Sequence, residues 1–315
     1  MIVYRELASV ERDLGIPART LYAVSNSLGR HYRTVRIPKE DGTSRVLTVP
    51  DPLLKHIQRR IADILLSQMA ISPWATAYRP GGGALVNAAP HAGQPHILKL
   101  DIRHFFDSIL YSTVKDRAFP AEKYAEPIRV LLTMLCYYRD SLPQGSPTSP
   151  AISNLVLRDF DFAVGTWCRG HGITYTRYCD DMTFSGCFEP KAVLDFVEPA
   201  LRKEGFFLHP GKIVTAHRGQ QQTVTGLVVN DRLAVPAAYR RKLRQELYYC
   251  QKYGVEEHQR RTGNEMEPLA YLRSLLGRVN YVLSVHPDDR DFRTARNWLM
   301  KIFSQADQTS KSDHM

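Results

Sequence analysis

The sequence predicts an α+β protein whose C-terminal quarter is helical. Three features carry that expectation. Short β-branched runs are closed by turn residues, helical periodicity fills the stretches between them, and from Pro236 onward Arg, Leu and Tyr recur at helical spacing. A chain of 315 residues, 43% hydrophobic and 23% charged, has material for two domains, or for one large domain with an appendage. With 19 Gly and 19 Pro the composition is ordinary for a globular protein, which argues against collagen, coiled coil and disorder.

Residues 1–30 are expected to form an N-terminal helical segment. Thr34–Ile37 and Arg45–Val49 alternate about a turn at Asp41-Gly42, the pattern of a hairpin. Pro52 opens a helix through about Met69, with Leu53, Ile57, Ile61, Ile64 and Leu65 on one face. Pro80–Gly83 lacks the Lys-Ser/Thr ending of a phosphate-binding loop and reads as a flexible turn. Ile97–Asp101 is a buried strand ending in a carboxylate. Helices follow at Tyr124–Cys136 and from Pro147 past Leu157. Ile173–Tyr178 and Met182–Ser185 are strands separated only by Cys179, Asp180 and Asp181, and a further hairpin is expected from Val224–Val229 and Leu233–Val235 about Asn230-Asp231. The mixed core therefore spans 31–229, the helical region 230–304, and residues 305–315 form a polar, disordered tail.

Lys and Arg total 42 against 32 Asp and Glu, a formal charge of +10. The excess is uneven: Arg30–Arg60 holds eight basic residues against Glu40, Asp41 and Asp51, and Pro236–Gly254 holds five against Glu246. Such segments suit a polyanion, because each neutralised phosphate releases counterions. No run approaches the roughly 18 apolar residues of a membrane span, and the N-terminus lacks the pattern of a signal peptide, so a cytoplasmic protein with no membrane partner is expected. The five cysteines are scattered without a C-x-x-C pair, which disfavours a zinc ribbon or a disulfide framework.

The tetrapeptide Tyr178-Cys179-Asp180-Asp181 is the most informative. Adjacent carboxylates at a hairpin tip repel each other and resist leaving water, so such a pair persists mainly where a cation neutralises it. Asp101, at the end of another strand, offers a third carboxylate. Oxygen ligands without His or Cys point to Mg²⁺, and two such ions can activate an attacking hydroxyl and stabilise a leaving pyrophosphate.

The surroundings of these aspartates make the pattern specific. Tyr178–Asp181 between two strands resembles the Tyr-x-Asp-Asp box of reverse transcriptases, and Leu100–Asp107 is similar to their first palm motif. Leu142–Pro150 resembles the helix-opening motif between the two, and Ile37–Arg45 resembles the fingers motif of the bacterial enzymes. Gly205–Lys212 is similar to the segment that follows the box, with His209 where Asn is usual. The resemblance implies a right-hand polymerase fold, with fingers and palm over 31–229, the palm an antiparallel sheet backed by helices, and a helical thumb over 230–304. It also implies RNA-directed DNA polymerase activity by two-metal nucleotidyl transfer. Asp101, Asp180 and Asp181 would bind two Mg²⁺ ions, assisted by the Ile102 carbonyl. Lys39 and Arg45, on one side of the hairpin, would clamp the triphosphate of a deoxynucleotide. Phe106 would lie under the sugar and exclude a 2′-hydroxyl, with Phe105 in the core. Gln144 would contact the nucleotide and Lys212 would protonate the leaving pyrophosphate, whereas no chemistry is expected of Cys179.

Two further strings narrow the resemblance. Asn87–His91 matches the Asn-Ala-x-x-His element of retron reverse transcriptases, and Val224-Thr225-Gly226 matches their Val-Thr-Gly element. Asn87, His91, Val224, Thr225 and Gly226 are expected to contact RNA, as are Arg240, Arg241, Arg244 and Lys252, interleaved with Tyr239, Tyr248, Tyr249 and Tyr253. A retron enzyme copies part of its own noncoding RNA (msr-msd) into multicopy single-stranded DNA (msDNA), starting from a guanosine 2′-hydroxyl, in antiphage defence beside a separate effector protein. About 86 residues follow the palm, too few for a thumb plus an RNase H domain of roughly 100–150 residues, so RNA removal is expected to fall to a host RNase H. The alternatives are a group II intron-like or other bacterial reverse transcriptase and, from a different class, a non-catalytic RNA-binding scaffold.

Overall fold

A computed structural model describes residues 3–38, 42 and 44–312. The chain divides into two compact units, Met1–Gln220 and Gln221–Met315.

The first unit opens with α1 (Leu7–Leu14), α2 (Ala18–Ser25) and α3 (Leu28–His31). These helices are no separate segment, because Val10, Leu14, Leu21 and Val24 join the unit's single core. Just before them the chain is sewn to residues 123–125. The Tyr4 N–H donates to the Lys123 carbonyl at 2.7 Å, the Ala125 N–H donates to the Tyr4 carbonyl at 2.9 Å, and the Tyr4 and Tyr124 rings stack at 5.2 Å. The hairpin follows as β1 (Tyr32–Pro38) and β2 (Ser44–Pro50), with Ile37 opposite Arg45.

Helix α4 (Pro52–Arg60) has Pro52 at its first turn and Asp51 as its cap, the Asp51 side chain accepting from the Leu54 N–H at 2.8 Å. The expected single helix to Met69 is instead underwound into a π-helical stretch at Ile61–Leu66, in which the sequence neighbours Leu65 and Leu66 are both buried. Then come α5 (Ala84–Ala88), β3 (His96–Asp101), α6 (Phe105–Ser108), α7 (Tyr111–Ala118), α8 (Glu126–Cys136), α9 (Ser149–Val156) and α10 (Arg158–Gly170). The hairpin β4 (Thr174–Tyr178) and β5 (Asp181–Gly186), α11 (Pro190–Lys203) and β6 (Val214–His217) complete the unit.

The four-stranded sheet is antiparallel in the order β4-β5-β3-β6. Its central strands are apolar on the face that the helices cover, while Lys99, Asp101, Thr183 and Ser185 alternate onto the other. Leu98, Leu100, Met182 and Phe184 are buried beside Leu155, Phe160, Val164, Val193 and Val197 from α9, α10 and α11.

The second unit starts at residue 221, earlier than the boundary expected at 230. A hairpin of β7 (Thr223–Val224) and β8 (Leu227–Val228) ties residues 221–229 forward, because Val228 and Ala234 exchange two backbone hydrogen bonds of 2.8 Å. The turn between β7 and β8 is Thr225-Gly226, both at positive φ (46° and 79°), a turn the sequence did not suggest; the pairing expected about Asn230-Asp231 is present as the antiparallel bridge of Val228 with Ala234. Two positive φ values in succession are what a tight hairpin turn requires, and Thr is an unusual residue to accept one. Four helices follow, α12 (Ala237–Tyr253), α13 (Val255–Thr262), α14 (Pro268–Val285) and α15 (Arg290–Ser312). The last continues past residue 305, where a disordered tail was expected. Among the described residues no helix is long and apolar enough to cross a membrane.

Candidate active site

Backbone register brings the three aspartates together. Asp101 ends β3 directly opposite Asp181, which begins β5, and Asp181 is in turn paired with Tyr178 across the β4–β5 hairpin. Only Cys179 and Asp180 form the connection, with Cys179 at φ 61°. The Ile102 N–H donates to the Asp180 carbonyl at 3.1 Å, and the His209 N–H donates to the Asp101 carbonyl at 2.8 Å. Ile102 itself is buried and bridged to Leu208. The strand end, the turn and the 205–212 segment are thus held by backbone bonds, whatever their side chains do.

Electrostatics within the cluster are unbalanced. The Lys212 ammonium donates to Asp101 Oδ2 at 2.7 Å, and that bond raises the lysine's pKa above its ordinary value. For Asp181 the pull of Lys212 is outweighed. Partial loss of hydration, then repulsion from Asp180 and Asp101, pushes its carboxyl up to about 6. Among the described residues no three His, Cys, Asp or Glu side chains form a ready-made metal cage. Three hard-oxygen donors carrying one compensating lysine nonetheless suit a divalent cation that retains water and substrate phosphates as further ligands. Burial, then Asp180, pushes the Cys179 thiol up to about 12.

The nucleotide-contact candidates fall around this cluster unequally. Phe105 is buried, and Phe106 is half-buried with its ring 5.5 Å from that of Phe105. Gln144 is exposed on a loop pressed against β2. A Cβ at the next residue, Gly145, would lie 2.5 Å from the Thr48 carbonyl oxygen, so only glycine permits that approach. Arg45 is exposed on β2; Lys39 lies outside the described residues.

Several RNA-contact expectations require correction. Asn87 and His91 are 1% and 0% exposed. Asn87 Oδ1 accepts from Thr76 Oγ1 at 2.7 Å, and His91 sits between Ser185 Oγ (2.6 Å) and Thr176 Oγ1 (2.8 Å). His91 thus braces β4 and β5, and Asn87 meets β4 through Thr76, whose hydroxyl also bonds the Arg177 carbonyl, so both side chains are buried supports of the sheet in this structure. Burial pulls the His91 pKa down to about 4, leaving a neutral ring between two hydroxyls. Val224 is a core residue, while the Thr225-Gly226 turn reaches the surface. Arg244 is tied within the second unit, paired with Asp289 at 2.7 Å and Asp291 at 3.0 Å and lying 4.8 Å over the Phe292 ring. Arg241 and Lys252 are exposed and Arg240 is half-buried.

Sequence reasoning missed Arg177 and Asp161. Both are 0% exposed, and the guanidinium meets the carboxylate through Nε (2.8 Å) and a terminal nitrogen (2.6 Å). The other terminal nitrogen donates to the Cys179 carbonyl at 2.8 Å, inside the aspartate turn. Burial opposes the charge on Arg177 and the Asp161 carboxylate outweighs it, so the arginine stays protonated. The available signal was an arginine in an otherwise buried strand, which demands an acid.

Comparison with known proteins agrees with this geometry. The family model for reverse transcriptase (RNA-dependent DNA polymerase) matches residues 37–247. The Retron Mx65 reverse transcriptase of Myxococcus xanthus is 33% identical over 320 residues, covering 93% of this chain and 71% of that one. The Retron Ec86 reverse transcriptase of Escherichia coli is 28% identical over 307 residues, covering 95% and 90%. The Retron Mx162 reverse transcriptase of Myxococcus xanthus is 33% identical over 229 residues, covering 64% and 47%. Fold and site define a polymerase of the reverse transcriptase class, an RNA-directed DNA polymerase. Within that class the chain belongs to the retron reverse transcriptases. Enzymes of this family use divalent metal ions.

Proposed function

We propose that this reverse transcriptase copies part of its own folded msr-msd RNA into msDNA, extending from the 2′-hydroxyl of an internal guanosine. The observation that carries the chemistry is the register of Asp101 opposite Asp181, with Asp180 in the adjoining turn. Asp101, Asp180 and Asp181, with the Ile102 carbonyl, would hold two Mg²⁺ ions. Bound there, the ions would supply a lower pKa for the attacking hydroxyl and compensating charge for the departing pyrophosphate. The chain's own groups do the rest. Lys39 and Arg45 clamp the triphosphate, Phe106 supports the sugar and crowds its 2′ position, and Gln144 contacts the nucleotide. Lys212, oriented by Asp101, gives a proton to the leaving pyrophosphate. Arg240, Arg241, Lys252 and the Thr225-Gly226 turn contact RNA. Family membership and the basic balance support a cytoplasmic role in antiphage defence, with a separate effector protein and a host RNase H.

The test is extension of a primed RNA template by the purified protein with Mg²⁺ and labelled deoxynucleotides. Native protein should make DNA, and Asp180→Asn should make none while still holding RNA. Equal synthesis by the two would overturn the metal assignment. A DNA product covalently joined to the transcript encoded beside the gene would support 2′ priming; an unjoined product would refute it.

A further inference from the structure

The second unit contains a cavity that polymerase chemistry does not use. It lies among α12, α13 and α14, measures about 670 Å³, and is walled in part by Tyr249, Tyr253, His258 and Tyr271. That volume falls within the roughly 300–1,000 Å³ of small-molecule sites. The rings form a stepped series. Tyr253 and Tyr249 are 6.0 Å apart at 32°, Tyr249 and His258 are 6.0 Å apart at 30°, and His258 and Tyr271 are 6.4 Å apart at 36°. At the outer end Tyr253 is 42% exposed and carries the Arg261 guanidinium 4.8 Å over its ring, while Glu257 holds Arg261 by its Nε at 2.6 Å.

The inner end is polar and positively biased. Glu246 accepts from the Tyr271 hydroxyl at 2.6 Å and from both terminal nitrogens of Arg278, so its charge is spent within the wall. Arg278 Nε is buried without an acceptor among the described residues. Lys242 and the Asn264 amide also line the space. An occupant must be flat enough to stack, anionic on one side and polar at its edge. A nucleotide meets all three conditions. An acidic peptide would leave the rings unused.

A free nucleotide and one unpaired residue of a folded RNA share this chemistry. We propose that the cavity receives a single unpaired nucleotide of a structured RNA, its base against Tyr253 and Tyr249 and its phosphate at Arg261. RNA is favoured over the free form because the exposed end carries more cation than one phosphate needs, the Lys252 ammonium lying 5.2 Å from the centre of the Tyr253 ring in addition to Arg261. The proposal rests on the reading of this chain as an enzyme that holds folded RNA.

The full chain can be tested with two generic RNA hairpins, one fully paired and one carrying a single bulged 4-thiouridine. Native protein should bind the bulged hairpin on the order of 10-fold more tightly, as loss of one aromatic stacking partner implies. Ultraviolet crosslinks should map to peptides of α12 or α13. Tyr253→Ala and Arg261→Gln should each erase the preference, and Tyr253→Phe, which keeps the ring, should retain it. Equal binding of the two hairpins by native protein, or crosslinks confined to other elements, would overturn the proposal. So would competition by free UMP or AMP as effective as that of the bulged hairpin, which would mark a free-nucleotide site. Extension of a generic primed template by the same preparation keeps the two readings apart. Its failure would count against the polymerase reading, while the hairpin comparison still decides the pocket.

Discussion

Lys212 is the residue on which the charge balance of the site turns. Its bond to Asp101 supplies the one compensating cation that the described side chains bring to the three aspartates, and it also places a proton donor beside them. Lys212→Met should slow single-turnover extension by on the order of 10²-fold, within the range of general-acid contributions. Lys212→Arg keeps the charge but gives up its proton poorly. If the arginine variant matches native protein across pH, the lysine acts through charge alone. Phe106→Ala should admit ribonucleotides, read as the ratio of ribo- to deoxynucleotide incorporation; an unchanged ratio would assign sugar selection elsewhere. The convergence of the three aspartates was legible in the sequence because each lies at a strand end or in the turn beside one. Arg177 was not, because its partner Asp161 lies on a helix and only the fold brings the two together.

At the scale of elements, His91 links the loop after α5 to β4 and β5. Its folded pKa of about 4 lies below the ordinary 6.5, so the unfolded chain binds the extra proton between those values. Stability from this group is complete above pH 6.5 and is lost as pH falls toward 4, by about 3 kcal/mol for a shift of this size. Urea unfolding of native protein and His91→Gln at pH 7 and pH 4.5 reads the effect. The native protein should show the steeper loss, and parallel losses would place the titration at other groups. Strands β3, β4 and β5 and most helices followed from periodicity. The π stretch at Ile61–Leu66 and the Thr225-Gly226 turn did not, since the first answers to burial of neighbouring leucines and the second to a positive φ that threonine rarely takes. The Asn87–His91 string marked the family correctly, but burial, invisible in one sequence, makes it a brace for the sheet.

For the whole molecule, the +10 charge predicts RNA affinity that falls steeply with salt, in proportion to the phosphates neutralised. Individual basic residues should contribute unequally. Arg241→Gln should lower the slope of log Kd against log salt, whereas Arg244→Gln should mainly destabilise the second unit, because its partners are Asp289 and Asp291. Equal slopes for both variants would show that the intramolecular pairs do not withhold Arg244 from RNA. The pairing of β3 with β5 carries a last consequence, for engineering. Side chains alternate between faces at every residue, so an extra amino acid within 96–101 or 181–186 would shift the alignment by one and turn a carboxylate away from its neighbours. Point changes in these strands can be graded, but inserting or deleting one residue should silence the enzyme outright.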